Sequence, residues 1–253
     1  MTSITAAVAD GTALGHLLLP TGDASCSLVV FYPDAGGVRP AMFDMAAHLT
    51  GAGYAVLMVD PYWRHGEYAP FDARTVFSDP AERARLMGMA TAVRPENVLG
   101  DTDALIARVD SPRVRRERVG AIGYCMGGRL AFLAAARRPE RIVAAAPIHA
   151  GGLVTDAPES PHRLAGGIRA ALYLGVADED ASCTPEHQRI LREALDAAGV
   201  RHQLELYPGA RHGFAVPGRG VHEGTPAVAP ALHLRARWSP RSDDPWPGES
   251  GAT

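Results

Sequence analysis

Short apolar runs, each closed by polar, Gly or Pro positions, recur along most of this chain. Runs at residues 27–32, 54–60, 118–123, 142–147, 170–176 and 203–207 are rich in Val, Ile, Leu, Ala and Tyr and predict strands. Stretches that favour helix separate most of them, near residues 40–52, 96–109, 127–137 and 186–198. Strands that alternate with helices predict an α/β fold with a doubly wound, mostly parallel sheet flanked by helices. Sheets of this kind carry their sites at the carboxyl ends of the strands, so the loops that follow the apolar runs are where chemistry is to be sought.

One such loop has an unusual composition. Gly120-Ala121-Ile122-Gly123-Tyr124-Cys125-Met126-Gly127-Gly128 joins a β-prone segment to an Ala- and Leu-rich helical one. It has the form of a nucleophile elbow, Gly-x-nucleophile-x-Gly, with cysteine in the central position. Gly123 and Gly127 are required where strand and helix backbones approach too closely for side chains. A helix N-terminus below the thiol favours the thiolate and offers free N–H groups to an oxyanion. A buried cysteine in a glycine-rich turn would also fit this stretch by itself. In the α/β-hydrolase order, nucleophile, acid and histidine follow one another along the chain. The run 170–176 empties into Asp178-Glu179-Asp180-Ala181-Ser182-Cys183-Thr184-Pro185, and the run 203–207 is followed by Pro208-Gly209-Ala210-Arg211-His212-Gly213-Phe214. An acid and a histidine are therefore available in the expected order. The loop after 27–32, Asp34-Ala35-Gly36-Gly37, is where such a fold draws its second oxyanion donor, at Ala35; the first is the N–H after the nucleophile, at Met126.

Over roughly residues 14–216 the chain resembles the dienelactone hydrolase family of α/β-hydrolases. The resemblance is carried by Gly123-Tyr124-Cys125-Met126-Gly127-Gly128, by Gly209-Ala210-Arg211-His212-Gly213-Phe214-Ala215, by Ser160-Pro161-His162 and by Pro33-Asp34-Ala35-Gly36-Gly37-Val38-Arg39-Pro40. It implies that Cys125 is the nucleophile, His212 the general base, and an aspartate at 178 or 180 the orienting acid. The family spacing ahead of the helix-opening Pro185 favours Asp180 and leaves Asp178 as the alternative. It further implies that Asp34, one carbon shorter than the usual glutamate, restrains the resting cysteine, with a turn-forming aspartate as the alternative. Family members that act on dienelactone use two arginines for the substrate carboxylate. Arg83 or Arg85 could supply the first; the second position holds Val216, with Arg219 beyond it. Tyr62, Trp63, Tyr124 and His149 are candidates for an acyl pocket, or else core residues.

Composition narrows the remaining classes. The 253 residues, 47% hydrophobic and 21% charged with net charge −3, suit one globular domain over residues 1–219, without the basic stripe that nucleic acid or an anionic membrane surface would need. The partner expected is a small-molecule ester or lactone, with no cofactor and no metal. Cys26, Cys125 and Cys183 form no C-x-x-C pair and no even-numbered framework, and the start of the chain lacks a signal-like pattern, so a cytoplasmic protein is expected. Cys26 and Cys183 read as inert thiols. Residues 220–253, rich in Pro and Gly, predict a poorly ordered tail in which only 227–238 has helical character; a frame change near residue 220 would explain its departure from similar chains. A non-catalytic binding protein on a hydrolase scaffold and a thiol redox sensor are the competing classes.

Overall fold

The computed structural model describes residues 1–72 and 75–217, so the tail expected at 220–253, and Arg219 with it, lies outside the described residues. The chain begins with an antiparallel hairpin, β1 (Thr2–Val8) and β2 (Gly11–Leu18). It then alternates through β3 (Cys26–Tyr32), α1 (Pro40–Gly51), β4 (Ala55–Val59), α2 (Pro80–Ala92), α3 (Pro95–Ala107), β5 (Val114–Tyr124), α4 (Met126–Arg137), β6 (Ile142–Ile148), β7 (Ala171–Glu179), α5 (Pro185–Ala197) and β8 (His202–Arg211). The strands form one eight-stranded sheet in the order β1-β2-β4-β3-β5-β6-β7-β8. The hairpin and the β2–β4 pair are antiparallel, and every other pairing is parallel.

Local chemistry explains the helix starts. Pro40, Pro80, Pro95 and Pro185 each open a helix, where the missing N–H costs nothing and the fixed φ is already helical. The Asp79 carboxylate caps α2 by accepting from Ala81 N–H and Glu82 N–H, and the Thr184 hydroxyl accepts from His187 N–H at the start of α5. The central strands are buried along their length, β4 entirely, because helices or loops cover both faces. One core lies between the sheet and α3, α4 and α5, and a second joins α1 to the other face. A third, smaller cluster of Tyr62, Phe71, Val76, Leu86 and Met89 seats α2 above the carboxyl ends, against Ala35 and Met126. Among the described residues no helix is long and apolar enough to cross a membrane.

The six predicted strands are present, with shifted ends. The β1–β2 hairpin and α2 were not foreseen. β1 is an edge strand with a single buried position, Ala6, and so lacks the apolar run that marks its neighbours. The arginines at 113–118 divide. Arg115 and Arg118 are exposed, whereas the Arg113 guanidinium donates to Gly22 O and Pro20 O, and that of Arg116 to Ala107 O and Val109 O.

The strand order reverses between β3 and β5. β4 lies on one side of β3 and β5 on the other, so the loops leaving β3 and β5 diverge and open a crevice at their carboxyl ends. Tyr32 of β3 is in register with Gly123 of β5, which places the Asp34–Gly37 loop directly beside the elbow.

Candidate active site

The turn at Cys125 is set by close approach. A Cβ on Gly123 would lie 1.9 Å from Gly127 O, and one on Gly127 would lie 2.1 Å from Tyr32 O, distances that only glycine permits. Cys125 itself has φ 55 and ψ −116, a conformation that L-residues rarely adopt and that persists only when the surroundings enforce it. Its N–H is gripped by Ile148 O at 3.0 Å and by His149 Nδ1 at 3.1 Å. The thiol is partly exposed at the start of α4. Met126 is the first residue of that helix, so its N–H has no acceptor within the helix.

His212 comes from the turn after β8, 87 residues further along the chain, and its Nε2 lies 3.0 Å from Cys125 Sγ. On the far side of the ring Nδ1 is 2.7 Å from Asp180 Oδ2. Asp180 lies just beyond β7. Its other oxygen accepts from Ser182 N–H at 2.8 Å and Ser182 O–H at 2.6 Å, and Ser182 Oγ also lies 3.2 Å from His212 Nδ1. Asp178, the alternative acid, is still within the strand. It is exposed, and its Oδ2 accepts from Gly209 N–H at 3.1 Å. The geometry thus brings together Cys125, His212 and Asp180 and leaves Asp178 outside the line.

The charges of this line are coupled. Burial works against the charged form of His212, but its hydrogen bonds to Asp180 and Cys125 outweigh it and raise the imidazole to about 10. Burial likewise opposes the Asp180 carboxylate, yet its bonds to His212 and Ser182 hold it below the ordinary value. The consequence for stability follows from proton linkage. His212 binds its proton more tightly when folded, so its contribution is complete below the free-imidazole value of 6.5 and fades as pH rises toward 10. Asp180 binds its proton less tightly when folded, so its contribution is present above the free-carboxyl value of 3.8 and is lost as pH falls through the lowered one. Urea midpoints should therefore decline between pH 6.5 and 10, and Asp180→Asn, which removes a partner that raises the imidazole, should flatten that decline. An equal slope in both proteins would contradict the coupling.

Asp34 follows β3 and is 1% exposed. Both oxygens meet Arg39, Oδ1 at 2.6 Å and Oδ2 at 2.8 Å, and Oδ1 also accepts from Gly36 N–H at 2.8 Å. A buried bidentate pair of this kind is an anchor, since removing one partner strands the other charge at a cost of about 3–5 kcal/mol. The same loop is clamped from above. Tyr62 O–H donates to Ala35 O at 2.7 Å, and Tyr68 Oη accepts from Val38 N–H at 3.1 Å. Gly37 has φ 68, and a Cβ there would lie 2.6 Å from Tyr68 Oη, so the clamp admits only glycine.

The other sequence candidates separate. Tyr62 borders the site from the core, whereas Trp63 donates from Nε1 to Asp101 Oδ2 at 2.9 Å, on α3, and is a packing residue. Tyr124 is buried against Phe31 and His149. Arg85 is committed elsewhere: it pairs with Glu82 at 2.6 Å, donates to Ala69 O at 3.1 Å and stacks on Phe71 at 3.8 Å. Arg83 lines a surface groove beside Phe77 and Met87, and Val216 is buried in the core. Burial pushes the Cys183 thiol up to about 11, which accords with an inert cysteine. Sequence reasoning did not see the roles of Arg39, Ser182, Tyr68 and His149 in building the site. An Asp-x-Ser turn at 180–182 and a histidine directly after a buried strand were the signals available.

Known proteins give an independent view. A carboxymethylenebutenolidase from a Pseudomonas species is 36% identical over 121 residues, 48% of this chain and 49% of its own. A solved structure from Klebsiella pneumoniae shares the fold with TM-score 0.77 at 21% identity, over 93% of this chain and 96% of its own. The dienelactone hydrolase of Anabaena variabilis does so with TM-score 0.61 at 19% identity, over 94% and 95%. The model of the dienelactone hydrolase family matches residues 15–238, and with this site on this sheet the chain belongs to that family of α/β-hydrolases.

Proposed function

We propose that the chain cleaves a carboxylic ester or lactone through a covalent acyl-cysteine. Cys125 is the nucleophile, His212 the base, Asp180 the acid that orients it, and the N–H groups of Ala35 and Met126 hold the oxyanion. The observation that carries this reading is the continuous line from Cys125 Sγ to His212 Nε2 at 3.0 Å and from His212 Nδ1 to Asp180 Oδ2 at 2.7 Å.

The chemistry follows from those positions. Cys125 Sγ attacks the carbonyl carbon while its proton resides on His212 Nε2, and the carbonyl oxygen becomes an oxyanion facing the two N–H groups. On collapse the C–O bond breaks and His212 returns the proton to the departing alkoxide. Water then attacks the thioester with His212 accepting its proton, and the acid and free thiol are released. Asp180 stabilises the imidazolium of the first step and, once Nε2 has given up its proton, keeps the remaining one on Nδ1 so that Nε2 can accept from water. Asp34 serves this sequence by holding, with Arg39, the turn that carries the Ala35 N–H; the thiol's bond to His212 and the commitment of Asp34 to Arg39 favour a loop anchor over a restraint on the resting cysteine.

Among the described residues the site favours an uncharged substrate over a carboxylate-bearing lactone, because Arg85 is paired with Glu82, Val216 stands where the resemblance implies the second cation, and the wall beside Ala35 and Met126 is apolar. Residues 1–219 form the catalytic unit. Three free thiols suit a reducing compartment, the cytoplasm. Brief exposure to p-nitrophenyl acetate followed by peptide mapping tests the reading. Acetyl should be found on Cys125, and hydrolysis without any adduct on that residue, or with an adduct on Cys26 or Cys183 alone, would sink it.

A further inference from the structure

Beside the nucleophile stands a second imidazole that the chemistry above does not use. His149 directly follows β6, is 1% exposed and has φ 36, a left-handed conformation that His tolerates better than most residues. Its N–H donates to Gly175 O at 2.8 Å, which ties it to β7. Its Nδ1 lies 3.1 Å from the Cys125 backbone nitrogen. A backbone amide can only donate, so Nδ1 must present a lone pair and the ring is the neutral tautomer protonated at Nε2. The same ring meets the His212 imidazole edge-on, with centroids 5.3 Å apart at 66°, and Phe214 at 5.4 Å and 70°.

We infer that His149 is a positioning residue for this hydrolase: through Nδ1 it holds the strained Cys125 turn, and through its ring it braces His212, so that one side chain sets the sulfur–imidazole geometry from both ends. The inference rests on reading Cys125 and His212 as nucleophile and base. An aromatic of similar size would fill the same volume, but only an acceptor can share the Cys125 N–H with Ile148 O. Among the described residues, the titratable groups facing the ring are Cys125 and Tyr124 from the elbow and His212 from the turn after β8, with Asp180 behind His212; Gly175 of β7 contributes backbone alone. A proton on Nδ1 would set N–H against N–H and place a second positive charge beside the imidazolium, so His149 stays neutral while the pair works.

Two variants separate positioning from packing. His149→Asn keeps an acceptor and accepts positive φ, whereas His149→Phe keeps an aromatic ring without an acceptor. His149→Asn should retain kcat within about tenfold, while His149→Phe should lose about 10²-fold in kcat with KM changed less than about threefold, since small misplacement of a reacting atom costs rate rather than binding. The pH profile of iodoacetamide labelling at Cys125 should shift in the Phe variant and match wild type in the Asn variant. Equal impairment of both, or a Phe variant with wild-type kcat and profile, would overturn the inference. Ring-nitrogen NMR on the wild-type protein applies even where a variant does not fold: an Nε2–H tautomer coupled across the hydrogen bond to the Cys125 amide is expected, and an Nδ1–H or doubly protonated His149 at neutral pH would overturn it. If wild-type Cys125 takes up no acyl group, the nucleophile reading fails while the hydrogen-bond result stands by itself.

Discussion

Cys125→Ala should abolish ester hydrolysis, a loss on the order of 10⁶-fold in kcat if the line of groups works as a unit like other nucleophile–histidine–acid sites. The folded state should survive, because the thiol is partly exposed and the turn is held through backbone contacts of Cys125 that alanine keeps, Ile148 O and His149 Nδ1. Cys125→Ser should leave a small residual, since a hydroxyl beside a base matched to a thiol is the weaker nucleophile. Steady-state assays on an aryl acetate, with circular dichroism as the folding control, decide the matter; wild-type turnover by a folded Ala variant would remove Cys125 from the chemistry. Iodoacetamide offers a parallel measure. Cys125 should be alkylated ahead of Cys26 and Cys183, which are buried, and equal rates at all three would count against an activated site. The same experiments answer the two competing classes, because a binding protein shows no turnover and a redox sensor shows oxidation at Cys125 without hydrolysis.

Asp180→Asn should lower kcat by up to about 10⁴-fold while the protein stays folded, its urea midpoint at neutral pH falling by the share of the His212 proton linkage that Asp180 supplies. Asparagine still accepts at Oδ1 from Ser182, so the turn survives, but its amide can donate to His212 Nδ1. That bond would leave the ring proton on Nε2, where it blocks transfer from the thiol. Asp178→Asn should cost no more than about tenfold, an indirect loss through the 3.1 Å bond from Gly209 N–H that helps set the loop before His212. Parallel kinetics on the two variants discriminate. If Asp178→Asn were inactive and Asp180→Asn turned over normally, the acid would have to be reassigned to Asp178.

The choice between those two aspartates illustrates where reading the chain stops. The family spacing ahead of Pro185 favours Asp180 but leaves Asp178 open, since both lie near the end of an apolar run. β7 continues through Glu179 because Glu179 pairs with Arg211 of β8, and that pairing keeps Asp178 in the strand while releasing Asp180 into the loop. Strand length here is decided by a neighbour that is distant in sequence. The β1–β2 hairpin escaped notice for a related reason. Its residues are half exposed at the edge of the sheet, and the pairing of β2 with β4, rather than any apolar run, makes them strand. The arginines were left open because a sequence gives charge without giving partners; Arg85 has Glu82, Ala69 O and Phe71, and Arg39 has Asp34.

What the sequence determined by itself is local or periodic. Apolar runs separated by helical stretches specify a parallel sheet because backbone pairing and burial act over a few residues, and Gly123 and Gly127 around Cys125 specify the elbow because no side chain fits there. The tertiary structure alone decided which groups meet. The 3.0 Å contact between Cys125 and His212 joins residues 87 positions apart. The clamp of Tyr62 and Tyr68 on the Asp34–Gly37 loop, the bond from the Cys125 N–H to His149, and the contact of Asp180 rather than Asp178 with His212 depend likewise on how strands and loops are placed beside one another. Hydrogen bonds and ion pairs act over a few ångströms of space, and neither composition nor spacing measures such distances between segments that only folding brings together.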